Sequence, residues 1–285
     1  MPLVTTKEIL TKAVAQNYAV PHINISNLEH FDTILSTAAK LKSPIIVAFT
    51  TGLIKYYGDE ILEGLCSAAS KKYQIPFAVH LDHHKDPKDI FTRIKKNKYI
   101  TSVMIDASLV DFEKNVAITK DVVEFCSKKG ISVEAELGAI QGTEDDHSSA
   151  DAFYTDPNLA IEFIKQTKID ALAISIGTVH GCVTKLAPSL DLKRLEQLRK
   201  TTTIPLVLHG CSGLNDEQIK TVVSKGIAKI NIATEFKVVF HDGLVKYLHE
   251  HPTETDSRLF FGAANKNVKN LLESKIKLFN SENKG

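Results

Sequence analysis

The sequence predicts an eight-stranded α/β barrel in which each parallel strand is followed by a helix. Eight short runs rich in branched apolar residues recur along the chain, each followed by a segment with helical periodicity. Runs such as PIIVAFT (44–50) and ALAISIG (171–177) are too uniformly apolar for half-exposed strands and suit strands covered on both faces. A length of 285 residues is ordinary for one such barrel, so we expect a single domain over residues 1–285.

The predicted strands are these eight apolar runs. They span Tyr18–Ile25, Pro44–Thr50, Pro76–His83, Ser102–Ser108, Ser132–Gly138, Ala171–Gly177, Pro205–Gly210 and Lys229–Thr234. An open, doubly wound parallel sheet is the alternative arrangement for the same alternation of strands and helices. The lack of a GxGxxG motif after the first strand weakens the dinucleotide-binding version of that alternative.

Helix signals fill the intervals between the strands. Asp59–Tyr73 begins with acids and ends with two lysines, as the helix dipole favours. Phe112–Lys129 carries an apolar stripe and stops at Gly130, a natural residue just past a helix end.

Capping signals mark three further helices. Thr5 and Asn215 each begin a capping box, and Asp156 precedes a proline at the first helical position. From Gly262 onward we expect an additional C-terminal helix with a frayed, lysine-rich tail.

The composition excludes several classes of protein. Lys and Arg number 35 against 34 Asp and Glu, and a net charge of +1 argues against electrostatic nucleic-acid binding. No apolar run approaches the roughly 18 residues of a membrane helix, and the N-terminus lacks the features of a signal peptide. The four cysteines form no CxxC pair and no disulfide-scaffold spacing, so we expect a cytoplasmic protein.

Polar side chains converge at the C-terminal ends of the predicted strands, where a barrel of this type carries its chemistry. Three histidines, His83, His180 and His209, stand at or just beyond strand ends. Three imidazoles with an open fourth position are the arrangement of a catalytic zinc site. For any one of them alone a hydrogen bond within the loops is the better explanation, but three together favour the metal. The histidines on predicted helices are expected at the surface: His30, His241, His249 and His251.

Two loops of small residues indicate an anion site. GCSG (210–213) follows the seventh strand and NIAT (231–234) follows the eighth. The loops after these two strands form the usual phosphate site of a barrel. Tight turns without any ligand are the alternative interpretation.

Two carboxylates are candidates for proton transfer. Asp82 adjoins His83, so it either acts as a general acid or orients a histidine. Glu144 lies in the polar, glycine-containing stretch Gly138–Ala150, which has the composition of a mobile active-site loop. A solvated run of acids is the alternative interpretation for Glu144 and its acidic neighbours.

Six ordered motifs make the sequence similar to the class II, zinc-dependent ketose-bisphosphate aldolases, from about Thr5 to about Phe279. They are LDHH around Asp82, MIDAS around Asp106, SVEAELG with Glu136, GTVHG with His180, LHGCSG with His209 and KINIATE with Asn231. The doubled histidine of LDHH resembles the tagatose-1,6-bisphosphate aldolase branch. So does Ala233, where fructose-bisphosphate aldolases more often carry an aspartate.

The resemblance implies a set of metal ligands and two proton-transfer groups. The implied zinc ligands are His83, His180 and His209, with Asp106 and Glu136 at an alternate, buried metal position. Asp82 would exchange a proton with the oxygen derived from the aldehyde. Glu144 would exchange the proton of dihydroxyacetone phosphate.

The resemblance also implies substrate contacts and a second cation. The implied substrate and phosphate contacts are Asn24, Thr50, Gly181, Gly210, Cys211, Ser212, Asn231, Ala233, Thr234 and, from a neighbouring subunit, Arg258. Backbone carbonyls near Val179, Gly181 and Gly210 would hold a monovalent cation, Na⁺ or K⁺. Arg258 therefore predicts a homo-oligomer, either a dimer or a tetramer.

The implied activity is reversible aldol cleavage of a ketohexose 1,6-bisphosphate, here tagatose 1,6-bisphosphate, to dihydroxyacetone phosphate and glyceraldehyde 3-phosphate. A fructose-1,6-bisphosphate aldolase of the same class is one alternative. A non-catalytic, phosphosugar-binding subunit of an aldolase complex is another, and such an accessory chain is also a candidate partner. The presence of all three histidines and both acids favours the catalytic chain.

Four departures from the family pattern bear on substrate preference and rate. Cys211 replaces the usual small residue of the phosphate loop, and Gln141-Gly142 replaces a double glycine before the loop acids. Thr143 stands where some members have another acid. A lysine often found four residues after His180 is absent, because Thr184 occupies that place.

Overall fold

The computed structural model describes residues 2–144, 147–150, 153–181 and 188–285. Its strands are β1 (Val20–Asn24), β2 (Ile45–Phe49), β3 (Phe77–His84), β4 (Ser102–Ile105), β5 (Ser132–Leu137), β6 (Gly142–Glu144), β7 (His147–Ser149), β8 (Ala171–Ile174), β9 (Leu206–Leu208) and β10 (Ile227–Ile232). Eight of them form a closed parallel barrel in the order β1-β10-β9-β8-β5-β4-β3-β2. The predicted (β/α)₈ barrel is confirmed, and each predicted strand overlaps one strand of the barrel.

Helices surround the barrel. They are α1 (Thr6–Gln16), α2 (Leu28–Lys40), α3 (Thr51–Tyr57), α4 (Asp59–Lys72), α5 (Pro87–Lys96), α6 (Phe112–Ser127), α7 (Pro157–Thr167), α8 (Leu192–Thr201), α9 (Asp216–Ser224), α10 (Thr234–Glu250) and α11 (Ser257–Leu278). The capping boxes predicted at Thr5 and Asn215 are both present. Within the residue ranges above, no helix combines the length and the apolarity needed to cross a membrane.

The alternation of side chains along each strand separates two layers of the interior. In β2, Ile45, Val47 and Phe49 belong to the main apolar core between the sheet and the helices, whereas Ile46 belongs to a second cluster. That second cluster also contains residues of α1, among them Leu10. Helix α1 therefore closes one end of the barrel, and the polar groups of the site occupy the other end.

Helix α1 is tied to the strands by a small polar cluster as well as by apolar packing. The Thr6 hydroxyl lies 2.7 Å from the hydroxyl of Ser102 in β4 and 2.7 Å from that of Ser132 in β5. All three side chains are buried, so these hydrogen bonds compensate their removal from water.

The C-terminal segment differs from its prediction in two respects. Helix α11 begins at Ser257 rather than at Gly262, because Asp256 caps it by accepting from the Arg258 amide. Its tail is hydrogen-bonded rather than frayed, since the amides of Asn283 and Gly285 donate to backbone carbonyls after α2.

Helix α3 and the two strands of a hairpin were not predicted from the sequence. Helix α3 starts directly after β2, where the Thr50 hydroxyl accepts from the Leu53 amide. The polar loop after β5 contains the antiparallel hairpin β6–β7. The side chain of Glu144 lies outside the described part of the chain, as do residues 145 and 146.

Candidate active site

The three histidines that the sequence singled out lie together at the C-terminal mouth of the barrel. His83 is the next-to-last residue of β3, His180 follows β8, and His209 follows β9 directly. Their ring centroids are 4.8 Å (His83–His209), 5.2 Å (His83–His180) and 6.0 Å (His180–His209) apart. One ring nitrogen of each lies within 4.8 Å of the other two, and the group is buried.

The backbone of β3 is distorted where it presents His83. The pairing of β3 with β4 shifts register between Leu81 and His84. His83 itself has a φ of 53°, in the left-handed region. This conformation costs a residue with a β-carbon roughly 1–2 kcal/mol, and such strain concentrates at functional sites.

Two carboxylates fix which nitrogens of His83 and His209 carry protons. Nδ1 of His83 lies 2.8 Å from Asp106 Oδ2, and Nε2 of His209 lies 2.9 Å from Glu134 Oε1. An ionised carboxylate only accepts hydrogen bonds, so each of these nitrogens is the donor. The other nitrogens, Nε2 of His83 and Nδ1 of His209, lie 3.0 Å apart.

In neutral rings those two facing nitrogens both carry lone pairs, which repel each other. A cation or an additional proton between them removes the repulsion. Burial lowers the pKa of His83, but the nearby carboxylates of Asp82 and Asp106 outweigh burial and raise it to about 10. The same negative surroundings favour a bound metal ion, so the site fits a divalent metal with imidazole ligands.

Glu134 is itself held by Lys229 of β10. The Lys229 ammonium lies 2.9 Å and 2.7 Å from the two Glu134 oxygens, and both side chains are wholly buried. No role was predicted for either residue from the sequence. The available signal was the placement of charged residues inside apolar strands, SVEAEL and IAKINI.

A second acidic group adjoins His83. Ligand atoms of His83, Asp106 and Glu136 lie within 4.8 Å of one another, and all three residues are buried. Burial raises the pKa of Glu136 well above its usual range, and the charge of Asp106 adds to the effect. Asp106 is additionally held by the Ser108 hydroxyl at 2.8 Å.

Asp82 is wholly buried next to this cluster. Its Oδ2 accepts a hydrogen bond from the Asn24 side chain at 3.0 Å. Burial raises the pKa of Asp82, although the neighbouring charge of His83 opposes that effect. The structure thus brings together Asn24 and Asp82, two residues that the sequence placed at different strand ends.

The small-residue loops after β8 and β9 pack backbone against backbone. A β-carbon on Gly210 (φ +66°) would meet the Val179 carbonyl group at 2.9 Å, and one on Gly181 (φ +69°) would meet the Thr143 oxygen at 2.2 Å. Larger residues are therefore excluded at both glycines. The Cys211 thiol is buried and lies within 3.5 Å of the Leu208 and His209 carbonyl oxygens, so it faces the protein interior.

The first turn of α10 adjoins the same loops. The N-cap residue of this helix is Ala233, whose side chain has no oxygen to accept from the first amides. The Ser212 hydroxyl lies 3.4 Å from the Glu235 amide, at the start of that turn. Asn231 lies 3.3 Å from both ring nitrogens of His209, which joins the segment NIAT (231–234) to the histidine cluster.

The hairpin loop is anchored to the histidine cluster at its base. The His180 amide donates to the Gln141 carbonyl at 2.8 Å, and Gly142 forms a bridge with His180. A β-carbon on Gly142 (φ +113°) would meet the His180 oxygen at 2.2 Å. The single glycine here therefore makes the close approach that fixes the base of the loop.

A family model described as class II fructose-bisphosphate aldolase matches residues 4–284. The chain belongs to this aldolase family. Its structure is similar to the YdjI aldolase of Escherichia coli K12, with 33% identity, 99% of each chain covered and a TM-score of 0.86. A candidate fructose-1,6-bisphosphate aldolase from Coccidioides immitis is 27% identical, with 98% of this chain and 97% of that chain covered and a TM-score of 0.87.

The fold is shared more widely. The fructose-bisphosphate aldolase of Campylobacter jejuni is 24% identical and matches 99% of this chain and 97% of its own, with a TM-score of 0.81. The protein is thus a class II ketose-bisphosphate aldolase, a carbon–carbon lyase. This class uses a divalent metal, zinc, and the buried histidine cluster provides the ligand types for it.

Within a single chain, Arg258 lies apart from the histidine cluster. It is in the first turn of α11, and its guanidinium bonds to Asp256 at 2.6 to 3.2 Å. This is an exposed ion pair at the surface. Among the residues that the structure describes, none of the Arg258 hydrogen bonds reaches a strand end.

One side chain expected at the surface is buried, and one side chain near the site was not predicted. His30 is buried, not solvated: its Nδ1 accepts from the Ser26 amide and its ring packs on Phe236. Lys237 of α10 lines a cavity of about 390 Å³ together with Ser26 and Thr50, and it was not among the predicted contacts. Its position one turn after NIAT was the only sequence signal. Thr184 lies outside the described residues.

Proposed function

We propose that this aldolase cleaves tagatose 1,6-bisphosphate reversibly to dihydroxyacetone phosphate and glyceraldehyde 3-phosphate. One observation supports the metal-dependent chemistry. His83 Nε2 and His209 Nδ1 face each other at 3.0 Å, while the other ring nitrogen of each histidine is hydrogen-bonded to a carboxylate. The choice of the tagatose epimer rests on Ala233 and on the doubled histidine at 83 and 84. Fructose 1,6-bisphosphate is the alternative substrate.

His83, His180 and His209 would hold the zinc ion through one ring nitrogen each. When bound, the ion supplies a Lewis acid that stabilises negative charge developing on the ketone oxygen of the substrate. This arrangement needs no lysine that forms a Schiff base. Asp106 and Glu136, which share His83 as a neighbour, would form an alternate metal position deeper in the barrel.

Asp82 and Glu144 would carry the two proton transfers. In cleavage, Asp82 takes the proton of the hydroxyl group that becomes the aldehyde oxygen, and the adjacent carbon–carbon bond breaks. Glu144 then delivers a proton to the carbon left on dihydroxyacetone phosphate. The buried position of Asp82 supports its role, because burial raises its pKa and keeps a proton available in the condensation direction.

The phosphate groups would anchor the substrate at both ends. One phosphate would bind the amides and hydroxyls of the two loops and the start of α10: Gly181, Gly210, Cys211, Ser212, Asn231, Ala233 and Thr234. Cys211 would contribute only its backbone, since its thiol faces inward. The cavity lined by Thr50 and Lys237 suits the other phosphate, and anchoring both ends orients the reacting carbons.

Backbone carbonyls of Val179, Gly181 and Gly210 would hold a monovalent cation, Na⁺ or K⁺, beside the phosphate loop. The close approach of Gly210 to the Val179 carbonyl group supports this proposal, because it brings the backbones of two loops together. A cation there would offset the charge of the bound phosphate.

The test combines metal analysis with rates on both epimers. We expect one zinc ion per chain, loss of cleavage on chelation, recovery on addition of zinc, and faster cleavage of tagatose than of fructose 1,6-bisphosphate. Full cleavage by metal-free protein, with borohydride trapping a lysine adduct, would refute metal catalysis. Bound zinc without cleavage of either epimer would instead support the non-catalytic subunit.

A further inference from the structure

Two histidines inside the barrel adjoin Asp82 and have no role in the proposed mechanism. His22 lies in β1 and His80 in β3, and both side chains are wholly buried. Their rings pack edge to face, with centroids 5.3 Å apart and planes at 82°. Ligand atoms of His22, His80 and Asp82 lie within 4.8 Å of one another, so the three form a polar cluster that adjoins His83 through Asp82.

The two oxygens of Asp82 differ in their surroundings. Oδ2 accepts from Asn24 at 3.0 Å. Oδ1 has no hydrogen-bond partner among the described residues, and the ring nitrogens that face it are Nε2 of His22 at 3.5 Å and Nε2 of His80 at 3.9 Å. A buried carboxylate oxygen without a hydrogen-bond donor is unfavourable, so one of these two imidazoles is needed to donate to Oδ1.

His22 is the better donor of the two. His80 is already engaged through Nδ1, which lies 2.8 Å from the Ser102 hydroxyl. Neither nitrogen of His22 has a hydrogen-bond partner among the described residues, so nothing opposes the tautomer with its proton on Nε2. Burial and the charge of Lys229 hold the pKa of His22 well below its usual range, so the ring is neutral and carries a single N–H.

We propose that His22 is a positioning residue that donates its Nε2–H to Asp82 Oδ1, so that Asn24 and His22 hold the carboxyl group from both sides. The inference rests on the role proposed for Asp82. The present 3.5 Å separation must shorten to about 3.0 Å for a hydrogen bond, and catalytic hydrogen bonds commonly tighten when substrate binds.

A metal ion caged by His22, His80 and Asp82 is the competing explanation of the same cluster. Burial opposes it, together with the charge of Lys229, because both lower the pKa of His22 and of His80 and so disfavour positive charge at this cluster. Two metal ions per wild-type chain, with one lost on replacement of His22, would overturn the positioning role.

The experiment compares His22→Leu with His22→Gln. Leucine keeps an apolar side chain of similar size without a donor, whereas glutamine places an N–H as many bonds from the backbone as Nε2. We expect His22→Leu to lower kcat for cleavage about 10- to 100-fold and His22→Gln to recover most of it. Proton exchange of dihydroxyacetone phosphate, which needs no Asp82, should stay near wild type in both variants.

Parallel loss of cleavage and exchange in His22→Leu would mean a merely structural role, and equal activities of the two variants would also reject the proposal. His30→Gln is the matched control, since His30 is an equally buried histidine outside the cluster. An independent readout is ¹⁵N NMR of histidine-labelled protein, where the His22 Nε2–H signal should shift in Asp82→Ala. If the wild-type protein cleaves neither substrate and the His22 signal still shifts in Asp82→Ala, the proposed function is rejected and the contact between His22 and Asp82 is retained.

Discussion

The Lys229 ammonium lies 2.7 Å from Glu134 Oε2 in the wholly buried interior of the barrel. The other Glu134 oxygen is 2.9 Å from His209 Nε2, so one carboxylate connects the ion pair to a proposed zinc ligand. Loss of Lys229 would leave Glu134 as an unpaired charge inside the protein. The ion pair therefore controls both the stability of the barrel and the orientation of His209.

Lys229→Met should lower the free energy of unfolding by about 3–5 kcal/mol, the usual cost of breaking a buried pair on one side. It should also weaken zinc binding, because Glu134 no longer holds His209 firmly. Urea unfolding and zinc titration measure the two effects. Lys220→Met is the control: its pair with Glu217 is exposed, and its removal should change stability by less than about 1 kcal/mol. Wild-type stability of Lys229→Met would show that the ion pair contributes nothing.

The sequence predicted the barrel because its strands are covered on both faces and so are uniformly apolar, which makes their bounds easy to find. It predicted the positions of His83, His180 and His209 because the strand ends of a barrel meet at one mouth. It could not pair Lys229 with Glu134, since they are 95 residues apart and only the strand register brings them together.

The errors have physical reasons of the same kind. His30 lies on a helix, and a polar residue on a helix is expected at the surface unless a tertiary contact covers it. Here a contact with Phe236 of α10 buries it. The start of α11 at Ser257 depends on the Asp256 cap, whose signal is weaker than that of a capping box. Tertiary packing decided both positions.

Replacing Asp82 and replacing Glu144 should affect two different reactions, cleavage of the bisphosphate and proton exchange of dihydroxyacetone phosphate. Asp82→Ala should lower cleavage by about 10²–10⁴-fold and leave proton exchange of dihydroxyacetone phosphate comparatively spared, because exchange needs no aldehyde. Glu144→Ala should nearly stop exchange while zinc remains bound. Tritium or deuterium exchange and coupled cleavage assays measure the two rates. Asp146→Ala, two positions along the loop, serves as the control. Equal exchange in Glu144→Ala and wild type would return the loop acids to a solvated charge run.

His30 should make folding stability depend on pH. Burial lowers its pKa from 6.5 to about 4 in the folded state, so between these values only the unfolded chain binds the proton. Its contribution to stability is complete above pH 6.5 and is lost as the pH falls, by about 2 kcal/mol at pH 5. Urea unfolding of metal-free wild type and His30→Gln at pH 7.5 and pH 5 isolates the effect. His241→Gln, at an exposed histidine, should follow wild type at both values. An identical pH dependence of His30→Gln and wild type would contradict the prediction.

Arg258 should complete the active site of a neighbouring subunit. The guanidinium is exposed and, among the described residues of its own chain, bonds only to Asp256. It is far in sequence from every strand end, so a subunit boundary is the simplest route to a substrate phosphate. We expect a dimer or tetramer in sedimentation, and a loss of about 10- to 100-fold in kcat/KM for Arg258→Ala. Lys246→Ala, on the exposed face of α10, should keep wild-type activity.

Mixing two inactive variants distinguishes an active site shared between subunits from one formed within a single chain. When Arg258→Ala and Asp82→Ala chains are refolded together, half of the dimers are mixed and each has one intact site, so activity should return to about a quarter of wild type. No recovery on mixing, or a fully active monomer, would leave Arg258 as a surface ion pair.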